Sequence, residues 1–562
     1  MSSPLGRRLL GTIAAVGLVV GGLGSGPALA GPPRSAPVPS TAPGPSTPPV
    51  AAAVIDPALA IERADGERVR AMARSAAQQS RRLRKARTPD AKIRPIRVAF
   101  RGVTSLVLLT RSKPYTLPEL AAVAPASLSL QAPGIWLVRE PIVVAAGARL
   151  VITSDRVAEV RLLSTAGRFA SIVGWQATIV IGGLPDHRLR ITSWDPSANG
   201  PDRVVEDGRA YVLSKGGTFD ARDADFTRLG FRTGESSGVA WRGWPGIPSR
   251  GSATDASFEA NYFGAYTFEA VDMRWTGNVF ADNVVYGLDP HDHSNRFIVE
   301  GNLAIANGSH GIIFSRGCTA NVVRLNASLG NGGGGIVIDD GHLEVDGNPR
   351  HQAVVVSSQN VIERNFVLGN AVGVVVEGGS VNAIRANLVI GNPTGVRVKN
   401  QAATTSVVGN VVGGSAILGI DINSGSTDTF VSGNLLFGGK VGIAVSDGAR
   451  NRISANAVFG IDGRGIVVRG QVAGTEVTGN TVAGNGTAAI DSGAATGLGS
   501  SAIANNTTTG WTPPKQLVQI YTAANFLRHH PAILIWIAIF LLPLAWWLPA
   551  RRKRIARWGR AD

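Results

Sequence analysis

From residue 287 onward the chain is punctuated by short apolar runs that each open on a glycine. They read Gly287-Leu288-Asp289-Pro290, Gly311-Ile312-Ile313-Phe314, Gly335-Ile336-Val337-Ile338, Gly373-Val374-Val375-Val376, Gly395-Val396-Arg397-Val398, Gly419-Ile420-Asp421-Ile422, Gly442-Ile443-Ala444-Val445 and Gly465-Ile466-Val467-Val468. Counted from the glycine, positions +1 and +3 are apolar in every run. A period of two marks a strand with one face toward a core, so +1 and +3 should point inward and +2 and +4 toward solvent. Asparagines recur in step with the runs at Asn278, Asn302, Asn326, Asn365, Asn387, Asn410, Asn434, Asn456 and Asn480, spaced by 24, 24, 39, 22, 23, 24, 22 and 24 residues. A period near 23 carried by strands predicts one coil of a parallel β-helix per repeat. A leucine-rich repeat has a similar period but needs a leucine pattern that is absent. Asparagine tolerates the left-handed backbone of a tight corner, and stacked amides can bond from coil to coil. The expected fold is therefore all-β, a parallel β-helix of about 22–24-residue coils.

The outward positions then form a ridge. At +2 and +4 successive coils carry Asp289/His291, Ile313/Ser315, Val337/Asp339, Val375/Glu377 and Arg397/Lys399, with Asp292, Arg316 and Asp340 one residue further on. Stacked coils lie about 4.8 Å apart, so His291 should neighbour Ser315, and Arg316 should neighbour Asp292 and Asp340. The 39-residue step adds about 15 residues directly after Asp340, among them His342, Glu344, Arg350 and His351. Long insertions in solenoid coils often overhang a binding face, although a plain surface loop explains the length equally well.

The ends differ in character. Arg7-Arg8, the apolar stretch Leu9 to Leu23 and Ala28-Leu29-Ala30 have the layout of a signal peptide over 1–30, cleaved after Ala30, with an uncleaved anchor as the alternative. Residues 31–55 form a Pro-rich linker, and 56–95 a polar helical stalk expected to be solvated. A β-rich part follows over 96–210, then the β-helix proper over 211–500, with its chemistry in coils 264–345, and a linker over 501–530. Residues 531–550 are uncharged and edged with tryptophan, and 551–562 are basic, which predicts a transmembrane helix with a cytoplasmic tail. The expected location is extracytoplasmic, tethered to the cell membrane by that single helix.

Composition narrows the partners. The net charge is +16, but six basic residues sit in the C-terminal tail, so the rest is only moderately basic. That balance suits a polyanionic partner without choosing between polysaccharide, lipid and nucleic acid. The lone Cys318 excludes an intramolecular disulfide and any cysteine-rich zinc site, and is expected to be a small core residue. No cofactor is expected.

The chemistry gathers at Asp289-Pro290-His291-Asp292-His293-Ser294 and, one coil on, His310-Gly311-Ile312-Ile313-Phe314-Ser315-Arg316. These elements, with Gly264-Ala265-Tyr266-Thr267-Phe268 upstream, resemble the Asp-Pro-His-Asp signature and Ser-Arg strand of the exported mannuronan (alginate) C5-epimerases, most specifically over residues 210–345. The resemblance implies that the β-helix is right-handed, with His291 as catalytic base, Arg316 as the cation on the substrate carboxylate, and Asp289 and Asp292 as supporting groups. It selects an acidic polysaccharide, and not nucleic acid, among polyanionic partners; the expected further partners are the membrane and a polysaccharide synthesis or export assembly. The reaction asks for such a set in any case. Taking a proton from C5 of a uronate builds charge next to a carboxylate, so a cation must stabilise the anion while a neutral imidazole takes the proton. The donor for the opposite face stays open among water, Tyr266, Tyr286 and His310. Ser315 completes the expected contacts near the base. Asp339 and Asp340 suit a corner hydrogen-bonding pair, a sugar contact or a calcium site. Arg397 and Lys399 are either solvated strand ends or an extension of the groove for a polyanion. A polysaccharide lyase shares the first step, and a non-catalytic polysaccharide-binding β-helix is the reading from another class.

Overall fold

The computed structural model describes residues 57–513 except 154–155, 233, 341–355 and 501. The expected signal peptide, the membrane helix and tail, and the insertion after Asp340 lie outside the described residues. Among the described residues no helix is long and apolar enough to cross a membrane.

Each full coil contributes three short strands, and each strand pairs in parallel with its counterpart one coil away. One coil, for example, places Arg274–Thr276, Val279–Ala281 and Leu288–His291 on three different faces. The next places Ile298–Glu300, Leu303–Ile305 and Ile312–Ser315 beside them in register. This is the parallel β-helix the repeat predicts. Parallel pairing already joins Leu106 to Ile142 and Ile142 to Ile172, so the stack begins well before residue 211 and continues without a break there.

The inward phase holds. Ile312, Phe314, Ile336, Ile338, Val374 and Val376 belong to the main core. Cys318 is a free thiol buried there too. The predicted exposure of the +2 positions does not hold: Ile313, Val337 and Val375 are 2%, 3% and 7% exposed and form an apolar cluster of their own with Tyr286 and Val372. Flanking side chains rise on both sides of this file, so it becomes a groove floor.

All nine asparagines stack in one file. Each Nδ2 donates to the Oδ1 of the next, from Asn278 to Asn302 at 2.9 Å through Asn456 to Asn480 at 2.9 Å, and Asn480 continues to Asn506. The 39-residue step leaves the file intact, because Asn326 still bonds to Asn365 at 3.0 Å. A second file runs Asn283, Asn307, Asn331, Asn370 and Asn392, and a third links Asn321, Asn360 and Asn382. The corner role assigned to asparagine is corrected. The left-handed backbone belongs to the preceding residue: Gly277 and Gly301, but also Leu325, Arg364, Ala386 and Ala455 at φ of 53–56°. The asparagine side chain is committed to the ladder, and the turn is made one residue earlier.

The expected solvated stalk is also corrected. Residues Pro57–Lys85 form a helix, here α1, whose Gly66, Arg68, Val69, Met72 and Ala76 are buried. Met72 and Ala76 pack on Val107, Leu109, Val143 and Ala145. Arg68 reaches Ser105 at 2.8 Å and Ser171 at 3.1 Å, and Asp65 takes the hydroxyl of Tyr211. The basic runs near its C-terminal end stay exposed and give the sequence its polar look, but one face is fastened to the coils.

Candidate active site

The strand Leu288–His291 turns Leu288 and Pro290 inward, which leaves Asp289 and His291 on the outer face. Register aligns His291 with Phe268 on one side and Ser315 on the other, and the file continues through Asp339, Glu377 and Lys399. Asp289 lies beside Tyr266 on the parallel file, which continues as Ile313, Val337, Val375 and Arg397. A third edge is aromatic: Phe263, Tyr286 and His310 stack in sequence with ring centroids 5.2 Å apart at each step. His291 therefore stands on one wall of a groove, with Asp289 in the floor and Tyr286 and His310 on the other wall.

Asp289 is strongly perturbed by its surroundings. It is 1% exposed, and neither carboxylate oxygen has a hydrogen-bond partner. Burial, reinforced by the charges of Asp292 and Asp339 and partly offset by His291, pushes its pKa up to about 7. The imidazole of His291 has Nδ1 3.3 Å from Asp292 Oδ1, an ion-pair distance without the alignment of a hydrogen bond. Burial alone would hold His291 down, but Asp292 and Asp289 outweigh it and leave its pKa above the ordinary value. Burial opposes ionisation of Asp292 too, yet His291 and Arg316 hold its carboxyl below the usual range.

Arg316 occupies a left-handed corner at φ 55°, where its amide donates to Asp339 O at 2.7 Å while Asp292 and His293 bond to the adjoining carbonyls. Its side chain is exposed and makes no ion pair with a described residue. The site thus holds a base candidate and, one coil on, a cation left open for an anion.

The remaining predicted residues divide. Ser315 is 6% exposed and directly beside His291. Tyr266 is 3% exposed, with its ring 5.8 Å from that of His291. Burial, together with Asp289 and Asp292, raises the Tyr266 pKa, so it remains a neutral phenol. His310 accepts the Gly334 N–H on Nδ1 at 2.7 Å, which fixes Nε2 as its protonated nitrogen, and burial lowers its pKa. Asp339 lies one coil beyond Ser315 on the wall. Asp340 is a corner group: Oδ1 accepts from Ser357 N at 2.6 Å and from Gly317 N at 3.4 Å. Arg397 and Lys399 are not free cations, because Asp421 holds the first at 2.9 Å and Glu377 the second at 2.8 Å. Among the described residues no group of three or more His, Cys, Asp or Glu side chains is gathered to hold a metal ion.

One residue escaped the sequence reading. Arg242 precedes Phe268 on the His291 file, and its guanidinium leans over the rings of Phe268 at 4.4 Å and Tyr266 at 5.3 Å. Numbering Gly238-Val239-Ala240-Trp241-Arg242 from its glycine puts Arg242 at +4, the position of His291, so the signal was present two repeats upstream of His291.

Known proteins resemble this chain over part of its length. Over 228 residues the chain is 31% identical to a mannuronan C5-epimerase of Pseudomonas aeruginosa, covering 38% of this chain and 40% of that protein. Over 214 residues it is 34% identical to the mannuronan C5-epimerase AlgG of Azotobacter vinelandii, covering 36% and 39%. The chain is a relative of the mannuronan C5-epimerases. It matches about two fifths of the length of these relatives. The crystal structure of the periplasmic alginate epimerase AlgG superposes with a TM-score of 0.53 at 20% identity, over 72% of this chain and 85% of that one, which supports the β-helix fold. A family model described as periplasmic copper-binding protein (NosD) matches residues 341–510, the coils beyond the epimerase-like motif.

Proposed function

We propose that this protein is a C5-epimerase of an acidic, polymannuronate-like polysaccharide outside the cytoplasm. The observation that carries the reading is the pairing of His291, backed by Asp292 and Asp289, with an exposed Arg316 one coil away that forms no ion pair with a described residue. Its relatives' names supply the substrate class. In this mechanism Arg316 takes the carboxylate of the reacting sugar and stabilises the charge that develops when the C5 hydrogen leaves as a proton. His291 takes that proton with its free nitrogen, while Asp292 faces Nδ1 and stabilises the imidazolium formed. Asp289, the buried carboxyl beside it, sets how readily His291 gains a proton. A proton returned to the opposite face of C5 completes the inversion, and Tyr286 and His310 line the wall across from His291. The expected export signal and C-terminal membrane anchor complete the proposal by placing the groove at the cell surface.

The test is incubation with polymannuronate in deuterated water, followed by proton NMR. Deuterium at C5 with a change of sugar configuration is the expected product. Unsaturated ends absorbing in the ultraviolet would instead identify a lyase, and no exchange with any polyuronate would leave the binding scaffold.

A further inference from the structure

The outer face that carries the site is covered at its N-terminal end. Val107, Val143, Val173, Leu213, Ala240, Tyr266 and Asp289 form one continuous file, coil by coil, and Leu109 and Ala145 lie at the start of the file that leads through Lys215 and Arg242 to His291. Helix α1 lies on this face. Its C-terminal half sits on Val107, Leu109, Val143 and Ala145, and its first turns reach the coil of Arg242, where Glu62 Oε1 accepts the backbone N–H of Glu235 at 2.8 Å. The ion pair of Lys215 with Glu235 abuts this end. Beyond α1 no comparable helix among the described residues crosses the coils that follow, and Tyr266 and Asp289 are buried by the side chains that flank their file.

We infer that α1 closes the groove on one side of the reaction site, and that Arg242 binds the carboxylate of the sugar held in the short segment between the wall and His291. This rests on the proposed epimerase reading and names the substrate contacts of the same site. Two coil steps separate Arg242 from His291 on their file, about 10 Å at the spacing of stacked strands. The guanidinium leans one coil toward His291, over Tyr266 and Phe268, so it falls beside the neighbour of the reacting sugar. Glu235, already paired with Lys215, acts on Arg242 only through its field, and no ion pair joins Arg242 to a described carboxylate, whereas the cations on the far side, Arg397 and Lys399, are already matched by Asp421 and Glu377. The planar guanidinium, held on aromatic faces, is suited to a two-pronged carboxylate contact. Recognition is therefore asymmetric: a closed, charge-reading segment on one side of the reacting sugar, and on the other a run of coils that no helix among the described residues covers.

The experiment uses mannuronate oligomers of graded length, lengthened from either end, with C5 deuterium incorporation as the readout. On the full chain, kcat/KM should stop rising, to within about twofold, after one or two sugars are added at one end, and should keep rising at the other. A second set of oligomers carries a single sugar whose carboxylate is reduced to the alcohol. The native chain should lose about tenfold or more when that sugar falls next to the reacting one on the closed side. Arg242→Gln should melt as the native chain does, yet turn over carboxylated and reduced oligomers alike. Equal length dependence at both ends, or an Arg242→Gln variant that keeps the preference for the carboxylate, overturns the inference and leaves the epimerase reading intact. Absence of exchange from every oligomer overturns the epimerase reading and this inference with it.

Discussion

Replacing Asp289 by asparagine should change how stability depends on pH, and the sign follows from burial. An unfolded chain titrates this carboxyl near 3.8, whereas the folded site holds it at about 7. Between these values the native state binds more protons than the unfolded state, so the native protein loses stability as pH rises. Over about three units the loss amounts to about 4 kcal/mol. Asparagine does not titrate, so its cost or benefit from packing is the same at every pH. The expected outcome is a variant that gains on the native chain steadily from about pH 4 to 7 and holds a constant advantage above that. His291 acts in the same direction, since its raised pKa also removes stability as pH climbs, and loss of the Asp289 charge should lower it. Urea midpoints of both proteins at pH 4.5, 6 and 8 measure the difference. Parallel curves, or a variant that falls behind the native chain at pH 8, would refute the claim that an unpartnered buried carboxylate is held there at a cost. Turnover should move the opposite way. A variant more stable at pH 8 but slower marks a group kept for chemistry and not for folding.

Other outcomes follow from the same geometry. His291→Ala and Arg316→Ala should each lower C5 exchange by about 10²- to 10⁴-fold while the chain stays folded, and Arg316→Lys should recover little, because an ammonium cannot reproduce a two-pronged carboxylate contact. The acid limb of the rate profile should move to lower pH in Asp289→Asn, since removing a nearby negative charge makes His291 easier to deprotonate; a limb that stays in place would argue against His291 as the titrating base. Asn365→Ala should cost about 3 kcal/mol or more in urea unfolding, because the amide is bonded to Asn326, Asn387 and Val323 and its loss leaves several buried groups unmatched. Ala386→Gly and Ala455→Gly should each raise stability by up to about 1 kcal/mol, as glycine removes the left-handed strain while adding some chain entropy.

Strand phase and coil period were legible because the same pattern repeats eight times, and one register error would have put Ile312 and Phe314 outside. Placement of His291 beside Ser315, and of Arg316 one corner on, followed from that phase alone. What stayed hidden depends on contacts between distant parts of the chain. The polar composition of α1 gave no sign that Arg68 would bury its guanidinium on Ser105 and Ser171. Alternation made Ile313 and Val337 outward, as they are, but could not tell that walls on both sides would bury them. The pairing of Arg397 with Asp421 needs the register of two coils to be read together for charge, and the file of Asn283, Asn307 and Asn331 was overlooked in favour of its neighbour.

The 39-residue step bears on how such a chain changes over time. Asp340 Oδ1 accepts the amide of Ser357 at 2.6 Å, so the departure and return of the additional residues are pinned to a single corner. Above and below that corner the amide file and strand register continue as though nothing had been added. Corners of this stack thus behave as ports: material can enter or leave there without re-indexing any coil, whereas one residue gained inside a strand would invert every side chain after it. The port after Asp340 opens one residue beyond the wall that bears Asp339 and one coil from Arg316. Length can accordingly be gained or lost at that corner while His291, Arg316 and the core keep their places.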